Sequence, residues 1–418
     1  MNKIIVIGGG ASGMMAAIKA AEAGGQVEIR ERNNLLGKKL AITGKGRCNI
    51  TNDCTVDEVI KNVPGNGSFL YSSLYAFSPQ DTRDFFENLG LKLKVERGRR
   101  VFPLSDDAHQ VVEALKKRLQ QLGVKIIYNN RIERLAIEKN IIKGVFCRNN
   151  FIAADRVIIA TGGKSYPATG SSGDGYLLAQ EAGHSIISLR PSLVPLETKE
   201  VWPQKLSGLT LKNVQVTVKT RDEKKGEQVI DKAFGEMLFT HFGVSGPLIL
   251  TLSHNICKHL SQKEVKIYIN LKPALEKEQL KARLQRDLDQ FSKKHFQNSL
   301  NELLPSSLIP VVVELSGIPP HKEANQINKS ERDLLVELLR ALPLTIKKAR
   351  PLEEAIVTAG GVNVKEIDPK TMQSKLVEGL YFTGEVLDID GFTGGYNLQI
   401  AFSTGAAAGI AAARASFM

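Results

Sequence analysis

The opening stretch, Ile4 to Glu31, constrains this chain more than any other. Ile4-Ile5-Val6-Ile7 is a short apolar run rich in β-branched side chains, the pattern of a buried parallel strand. Gly8-Gly9-Gly10-Ala11-Ser12-Gly13 follows without a gap, and Gly8, Gly10 and Gly13 fit the spacing G-x-G-x-x-G. Met14 to Ala21 then supplies mostly strong helix formers, and Gly24-Gly25 ends the helix. A second strand, Val27-Glu28-Ile29-Arg30, finishes at Glu31.

A dinucleotide gives every part of this unit a task. Gly8 permits the tight turn, Gly10 lets the backbone approach a pyrophosphate, and Gly13 lets the helix pack closely on the strand. The helix N-terminus, with Ala11 and Ser12 in its first turn, offers unpaired N–H groups and the positive end of a dipole. Glu31 is placed to accept hydrogen bonds from a ribose, and it repels a 2′-phosphate, which argues against NADP in this slot. A glycine triplet alone is weak evidence; with strand, helix and distal acid at the expected offsets, it reads as a dinucleotide site.

A chain of 418 residues is too long for one simple core, so two or three domains are expected. No apolar run approaches the roughly eighteen residues of a membrane span, and the chain opens directly on a strand. A cytoplasmic protein with no membrane role is the expectation. Cys48, Cys54, Cys147 and Cys257 form no C-x-x-C pair and the histidines form no cluster. Neither a metal site nor a dithiol relay is therefore expected.

The net charge of +12 admits two readings. A polyanionic partner such as RNA rewards clustered Lys and Arg; general solubility with local neutralisation of cofactor phosphates is the plainer account, and charge alone favours it.

After Glu31 the segment Gly37 to Asn52 combines three glycines, four cations (Lys38, Lys39, Lys45, Arg47) and an Asn/Thr-rich end. Such a loop can wrap an anion with backbone N–H groups and bring a cation to it. Helices are expected over Ser78–Leu89, Ser105–Leu122 and Tyr176–Ala182, the last with Asp174 at its N-terminus. Two short strands around Gly98 are expected over Lys92–Phe102, and a meander from Val124 to Phe146. Arg156–Ala160 reads as another buried strand, entering a turn at Thr161-Gly162-Gly163.

From Pro191 the pattern changes. Alternation at Val214–Val218 and Val265–Leu271, with Met237–Phe239 between, predicts a small antiparallel barrel or sandwich. His241 lies within the Gly-rich segment Thr240–Pro247; a lone loop histidine is more often packed or solvated than catalytic. Pro273–Leu304 is expected to be largely helical, followed by a helix from Glu331 to Leu342 with a capping box at Ser330–Asp333, and Leu344–Lys348 to return to β structure. Near the end, Leu380–Glu385 is a strand closing in a Gly-acid turn, and Gly391–Gln399 leads into a small-residue helix, Ile400–Ala413. Close helix packing would use the same small residues. A long cofactor gripped from both chain ends explains both glycine-rich helix starts, and FAD suits that better than NAD.

Together these segments resemble the glutathione-reductase-type FAD superfamily. Within it the chain is similar to the BaiN-like (YhiN-like) flavoproteins, also labelled NAD(FAD)-utilising dehydrogenases or the aminoacetone oxidase family. The matching stretches are Ile4–Glu31, Gly37–Asn52, Gly98–Pro103, Ala160–Gly175, Gly235–Pro247, Ala359–Val362 and Gly384–Gln399. The resemblance implies an α/β fold: a Rossmann-like FAD/NAD(P)-binding domain of glutathione-reductase type, with an inserted β-barrel-like domain and a helical subdomain. The expected boundaries are 1–190 plus 344–418 for the discontinuous FAD-binding domain, 191–272 for the β domain and 273–343 for the helical insert.

The resemblance also implies flavin contacts at Thr43, Gly44, Arg47, Cys48 and Asn49, at Thr161, Gly162 and Gly163, and at Gly384, Glu385, Gly395, Tyr396, Asn397, Leu398 and Gln399. Arg32, Lys39 and Asp174 complete the candidate set for one non-covalent FAD. No second strand–glycine–helix unit is present to hold NAD(P), so NAD(P)H is expected only as a transient reductant. Arg47 and His241 are the side-chain candidates for catalysis, Arg47 through charge stabilisation and His241 through proton exchange. The competing reading has Arg47 gripping pyrophosphate and His241 packing its loop. Activities in the family imply C=C reduction on steroid-like acids or reduction of a uridine base in ribosomal RNA. A small-molecule flavoenzyme, reducing a C=C bond or oxidising an amine, is the leading expectation, with the RNA-base reductase as its rival and non-catalytic flavin binding as a third class.

Overall fold

The computed structural model describes residues 1–222, 226–260 and 262–415. It divides into two compact units, Met1–Pro191 with Leu352–Met418, and Ser192–Pro351.

The first unit is built on a five-stranded parallel sheet. Lys3–Ile7 lies between Gln26–Arg30 and Arg156–Ile159; Lys125–Ile127 extends one side and Leu380–Phe382 the other. Ile4, Ile5 and Val6 are wholly buried, as are Val157, Ile158 and Ile159 beside them. Burying each such side chain stabilises by about 1.5–3 kcal/mol, so the continuous apolar runs set the sheet's centre. The strand Leu380–Phe382 completes this sheet from the far end of the chain.

Two helices of small residues bring the chain ends together. Ala11–Glu22 and the last helix, Tyr396–Arg414, pack face to face. A Cβ at Gly405 would sit 2.5 Å from the Ser12 carbonyl oxygen, and one at Gly409 would sit 2.2 Å from that of Ala16. The two glycines, four residues apart, thus let the helix backbones touch.

Smaller sheets surround this core. The Gly98 hairpin forms as expected, Leu93–Glu96 with Arg100–Pro103, and Thr51–Asn52 adds a third strand to it. The meander expected from Val124 to Phe146 is corrected: Lys125–Ile127 joins the parallel sheet, and Arg134–Glu138 and Ile141–Cys147 form their antiparallel sheet with Asn150–Ala153 instead. Val357–Val362, all buried, pairs with Ile186–Ser192 in a further two-stranded sheet.

The second unit is a closed six-stranded barrel, in the order Leu196–Thr198, Gly243–Ser245, Gly226–Thr240, Thr210–Asp222, Val265–Asn270 and Leu342–Ala349. The strand expected at Leu344–Lys348 belongs to this barrel, paired with Val265–Asn270, so the return to the first unit comes at 352 rather than 344. Ile346 and Leu344 are buried here, which the alternating pattern permitted but could not allocate. The helices Lys277–Gln290, Ile309–Ser316 and Lys329–Arg340 cluster with the barrel as one unit.

Two local expectations are corrected. Of Pro273–Leu304 only Lys277–Gln290 is α-helix; turns follow it. The last helix of the unit is capped by Asn328, not Ser330: Glu331 N donates to Asn328 Oδ1 at 2.9 Å and Asn328 N to Glu331 Oε2 at 2.8 Å. Asn caps as well as Ser, and Asn328-x-x-Glu331 is itself a box. A further helix, Pro247–His259, follows the Gly-rich segment.

Candidate functional site

The glycine turn shows why each glycine stands where it does. Gly8 has φ +102°, and a Cβ there would lie 2.6 Å from the Ala160 carbonyl oxygen of the neighbouring strand. A Cβ at Gly13 would lie 2.0 Å from the Gly8 oxygen, so helix and turn meet only without a side chain. At Gly10 no atom stands within 4 Å of where a Cβ would be. That space is open, as an approaching phosphate requires.

Glu31 is buried at the tip of the second strand and holds the turn from below. Its Oε2 accepts from Gly9 N at 2.7 Å and its Oε1 from Asn33 N at 2.8 Å. Each oxygen keeps a lone pair that a ribose hydroxyl can use.

Two long helices start bare. Neither Ala11–Glu22, begun at Gly10, nor Tyr396–Arg414, begun at Gly395, has a side-chain cap or an acid in its first turn. Helix N-termini normally recruit such partners for their orphan N–H groups. The short segments Lys38–Ile42 and Tyr71–Ala76 are uncapped too, but these two are the long helices of the unit that start so, and their N-termini suit an anionic or carbonyl-rich ligand. Gly395, at φ +100°, is required: a Cβ would lie 2.4 Å from the Thr51 oxygen.

The segments expected to meet the flavin are interlocked. Lys39 Nζ lies 2.7 Å from Glu385 Oε2 and 2.8 Å from Ser165 Oγ. Glu385 Oε1 in turn accepts from Thr358 N at 2.9 Å and from Ser165 Oγ at 3.1 Å. A Cβ at Gly163 would collide with both Thr358 and Glu385. Gly384 sits against Ser12, whose Oγ would be 2.5 Å from a Cβ placed there. The hydroxyl of Thr161 and the Oδ1 of Asn49 are buried without a hydrogen-bond partner. Buried polar atoms are ordinarily paired, so these two are open to a ligand's groups.

Other candidates hold their places through bonds within the chain. Arg32 bonds Asp174 at 3.0 Å and reaches Ser172, while Arg131 takes both oxygens of Asp174. Asp174 thus does not cap the helix that it opens; Gly173 is the cap residue, and two arginines hold the carboxylate. Asn397 closes its own loop, with Nδ2 donating to the Gly391 oxygen at 2.7 Å and Oδ1 accepting from Gly391 N at 2.8 Å. Gln399 is buried, taking a bond from Thr51 Oγ1 at 2.6 Å and giving one to the Phe77 oxygen at 3.1 Å. Tyr396 and Leu398 are half-buried at the same helix start.

The loop after the second strand is tightly folded. Thr43 Oγ1 donates to the Leu40 oxygen at 2.7 Å, and Gly44 and Lys45 are both left-handed. Cys48 is wholly buried, and burial pushes its thiol up to about 12, which leaves no reactive thiolate beside the site. Arg47 is engaged by two carboxylates: it pairs with Glu96 at 2.5 Å and Asp106 at 2.6 Å, with its guanidinium 4.2 Å from the Phe102 ring centre. Its charge is offset on the spot. His241 lies in the second unit, exposed at the turn between two barrel strands with its ring edge-on to Phe242. Among the described residues no group of acids, cysteines and histidines is arranged to hold a metal, and no helix is long and apolar enough to cross a membrane.

Ser165, Thr358 and Asn52, which no sequence motif marks as site residues, belong to this constellation. Thr358 stands before the small-residue run Ala359-Gly360-Gly361, the one signal that pointed near it.

The parallel sheet, the glycine turn with its acid and the two bare helix ends define a Rossmann-type dinucleotide-binding protein. The chain belongs to the HI0933-like family, whose Rossmann-domain model matches residues 2–411. It is an FAD-dependent oxidoreductase. It is 38% identical over 418 residues to a 3-dehydro-bile acid delta(4,6)-reductase of Clostridium scindens, covering 99% of each chain. It is 30% identical over 416 residues to a ribosomal RNA dihydrouridine synthase of Haemophilus influenzae, covering 98% of each. In fold it is similar to a 3-ketosteroid delta1-dehydrogenase of Sterolibacterium denitrificans, with a TM-score of 0.52 at 14% identity and 99% of each chain covered.

Proposed function

We propose that this flavoprotein reduces an electron-poor C=C bond in a small organic molecule, drawing electrons from NAD(P)H that visits the flavin transiently. The observation that carries this reading is the full-length similarity to the bile acid reductase. FAD, when bound, supplies the hydride. Gly10, Ala11 and Ser12 would face the pyrophosphate, Glu31 would orient the adenosine ribose, and Thr161, Asn49 and the Gly395 helix start would meet the flavin end. Adding hydrogen across C=C requires a proton as well as a hydride. His241 is the side chain proposed to deliver it, since imidazole exchanges protons near neutral pH. Arg47, already paired twice, is assigned to fixing its loop on the Glu96 hairpin.

Anaerobic stopped-flow tests this directly. NADH or NADPH should bleach the flavin, and an α,β-unsaturated 3-keto steroid acid should restore its colour with one saturated product per flavin. Bleaching without reoxidation by any such acid removes the substrate class. His241→Ala should slow reoxidation while leaving bleaching intact; unchanged reoxidation removes His241 from the proton-transfer role.

The second reading is reduction of a uridine base in RNA, supported by the Haemophilus influenzae relative and the charge of +12. RNA binding that weakens with salt at a log–log slope near roughly −0.7 per phosphate, coupled to flavin reoxidation, would favour it over the first.

A further inference from the structure

Asn52 is 2% exposed, and its amide nitrogen makes two bonds that tie distant segments together. Nδ2 donates to the Gly98 oxygen at the hairpin tip, at 3.0 Å, and to the Gly394 oxygen before the last helix, at 2.9 Å. Its Oδ1 has no hydrogen-bond partner. This pattern fixes the amide's orientation, because a flip would set Oδ1 against two carbonyl oxygens. The residue is therefore present for its two donors, at the cost of a buried bare acceptor.

What those donors hold is the turn that opens the last helix. Gly394 and Gly395 have φ of +131° and +100°, a pair of conformations that few residues adopt. Thr51 supports the same turn from the next position: its backbone lies against Gly395, and its hydroxyl donates to Gln399. Asn52 grips the Gly394 carbonyl of that turn. If it lets go, the bare N–H groups at the start of Tyr396–Arg414 lose their fixed direction.

We propose that Asn52 is a positioning residue for the flavin, acting through the Gly394–Gly395 turn to aim the last helix's N-terminal N–H groups. The proposal rests on the reading that this helix start meets the flavin end of FAD. A preorganised positive helix end stabilises the more negative reduced flavin over the oxidised form. Loosening it lowers the flavin's midpoint potential as well as its affinity.

The test compares Asn52→Ala, Asn52→Asp and Asn52→Ser with wild type and with Glu31→Ala, each stripped of FAD and titrated with FAD. Fluorescence quenching gives the affinity, a dye-coupled reduction the midpoint potential, and circular dichroism the melting temperature of the apoprotein. Asn52→Asp sets a carboxylate against two carbonyls, and should lose FAD affinity by about tenfold or more, with a lowered potential. Asn52→Ala removes the donors without adding charge and covers the case in which the Asp variant does not fold. It should show the same two changes, and Asn52→Ser, with one donor, should fall between. Wild-type affinity and potential in Asn52→Ala would overturn the proposal, as would a lowered melting temperature with an unmoved potential, which marks a purely structural residue. A Glu31→Ala variant that keeps full affinity would instead overturn the assignment of the cofactor site.

Discussion

Lys39 Nζ lies 2.7 Å from Glu385 Oε2, joining the loop after the second strand to the turn after the last strand of the sheet. The pair is partly buried, and Ser165 Oγ touches both members. Removing one partner strands the other charge in a half-desolvated place. Glu385→Gln and Lys39→Met should each destabilise the first unit by about 1–2 kcal/mol and loosen FAD. The double variant should cost less than the sum of the singles, read by thermal melts of the four proteins. Additive losses would show that the two side chains do not act on each other.

Gly409→Val should be the more damaging change. A Cβ at Gly409 would meet the backbone of Ala16, which has no flexible end to move aside. The last helix would have to lift from the first, at a cost of about 2 kcal/mol or more. Both helices open at the cofactor cradle, so flavin content should fall with the melting temperature. A variant with full flavin and an unchanged melt would contradict this packing.

His184 sets an acid limit on stability. Its ring is buried between Glu366, at 3.0 Å, and Ser374 Oγ, at 2.7 Å. Burial pushes its pKa below the usual 6.5, outweighing the Glu366 carboxylate, which pulls it the other way. Below pH 6.5 the unfolded chain therefore takes up a proton that the folded chain resists, and stability falls as pH drops toward the lower folded value. Above 6.5 both states hold a neutral ring and the contribution is flat. Melting temperatures at pH 7.5 and 5.5 should show this loss in wild type and a smaller one in His184→Gln; equal losses would exclude His184 as the cause.

Cys48 should resist alkylation until the first unit unfolds. It is wholly buried and its thiol is pushed up to about 12 by burial, so neither access nor thiolate is available at pH 8. Iodoacetamide labelling followed by peptide mapping, with and without urea, checks this; label on Cys48 in the native protein would contradict its placement.

Much of this molecule was legible in the chain. Ile4–Glu31 determined a strand, a turn, a helix, a second strand and an acid, because period, glycine spacing and offset are local properties of the chain. The wholly buried Ile4, Ile5 and Val6 and the glycines that a Cβ would crowd are the same facts seen from the other side. The change of pattern after Pro191 likewise announced antiparallel strands. Tertiary structure alone decided which distant groups meet. Whether Leu344–Lys348 joins the barrel or the parallel sheet depends on which neighbour offers a free edge, and alternation carries no such label. Asp174 stands at its helix start as expected, but only the fold brings Arg32 and Arg131 from other segments to its carboxylate. Nothing local marks the side chains of Asn52 and Thr358 until Gly394 and Lys164 come within reach of their polar atoms. Periodicity reports the face a side chain takes; a hydrogen bond across more than three hundred residues exists only once the chain has closed on itself.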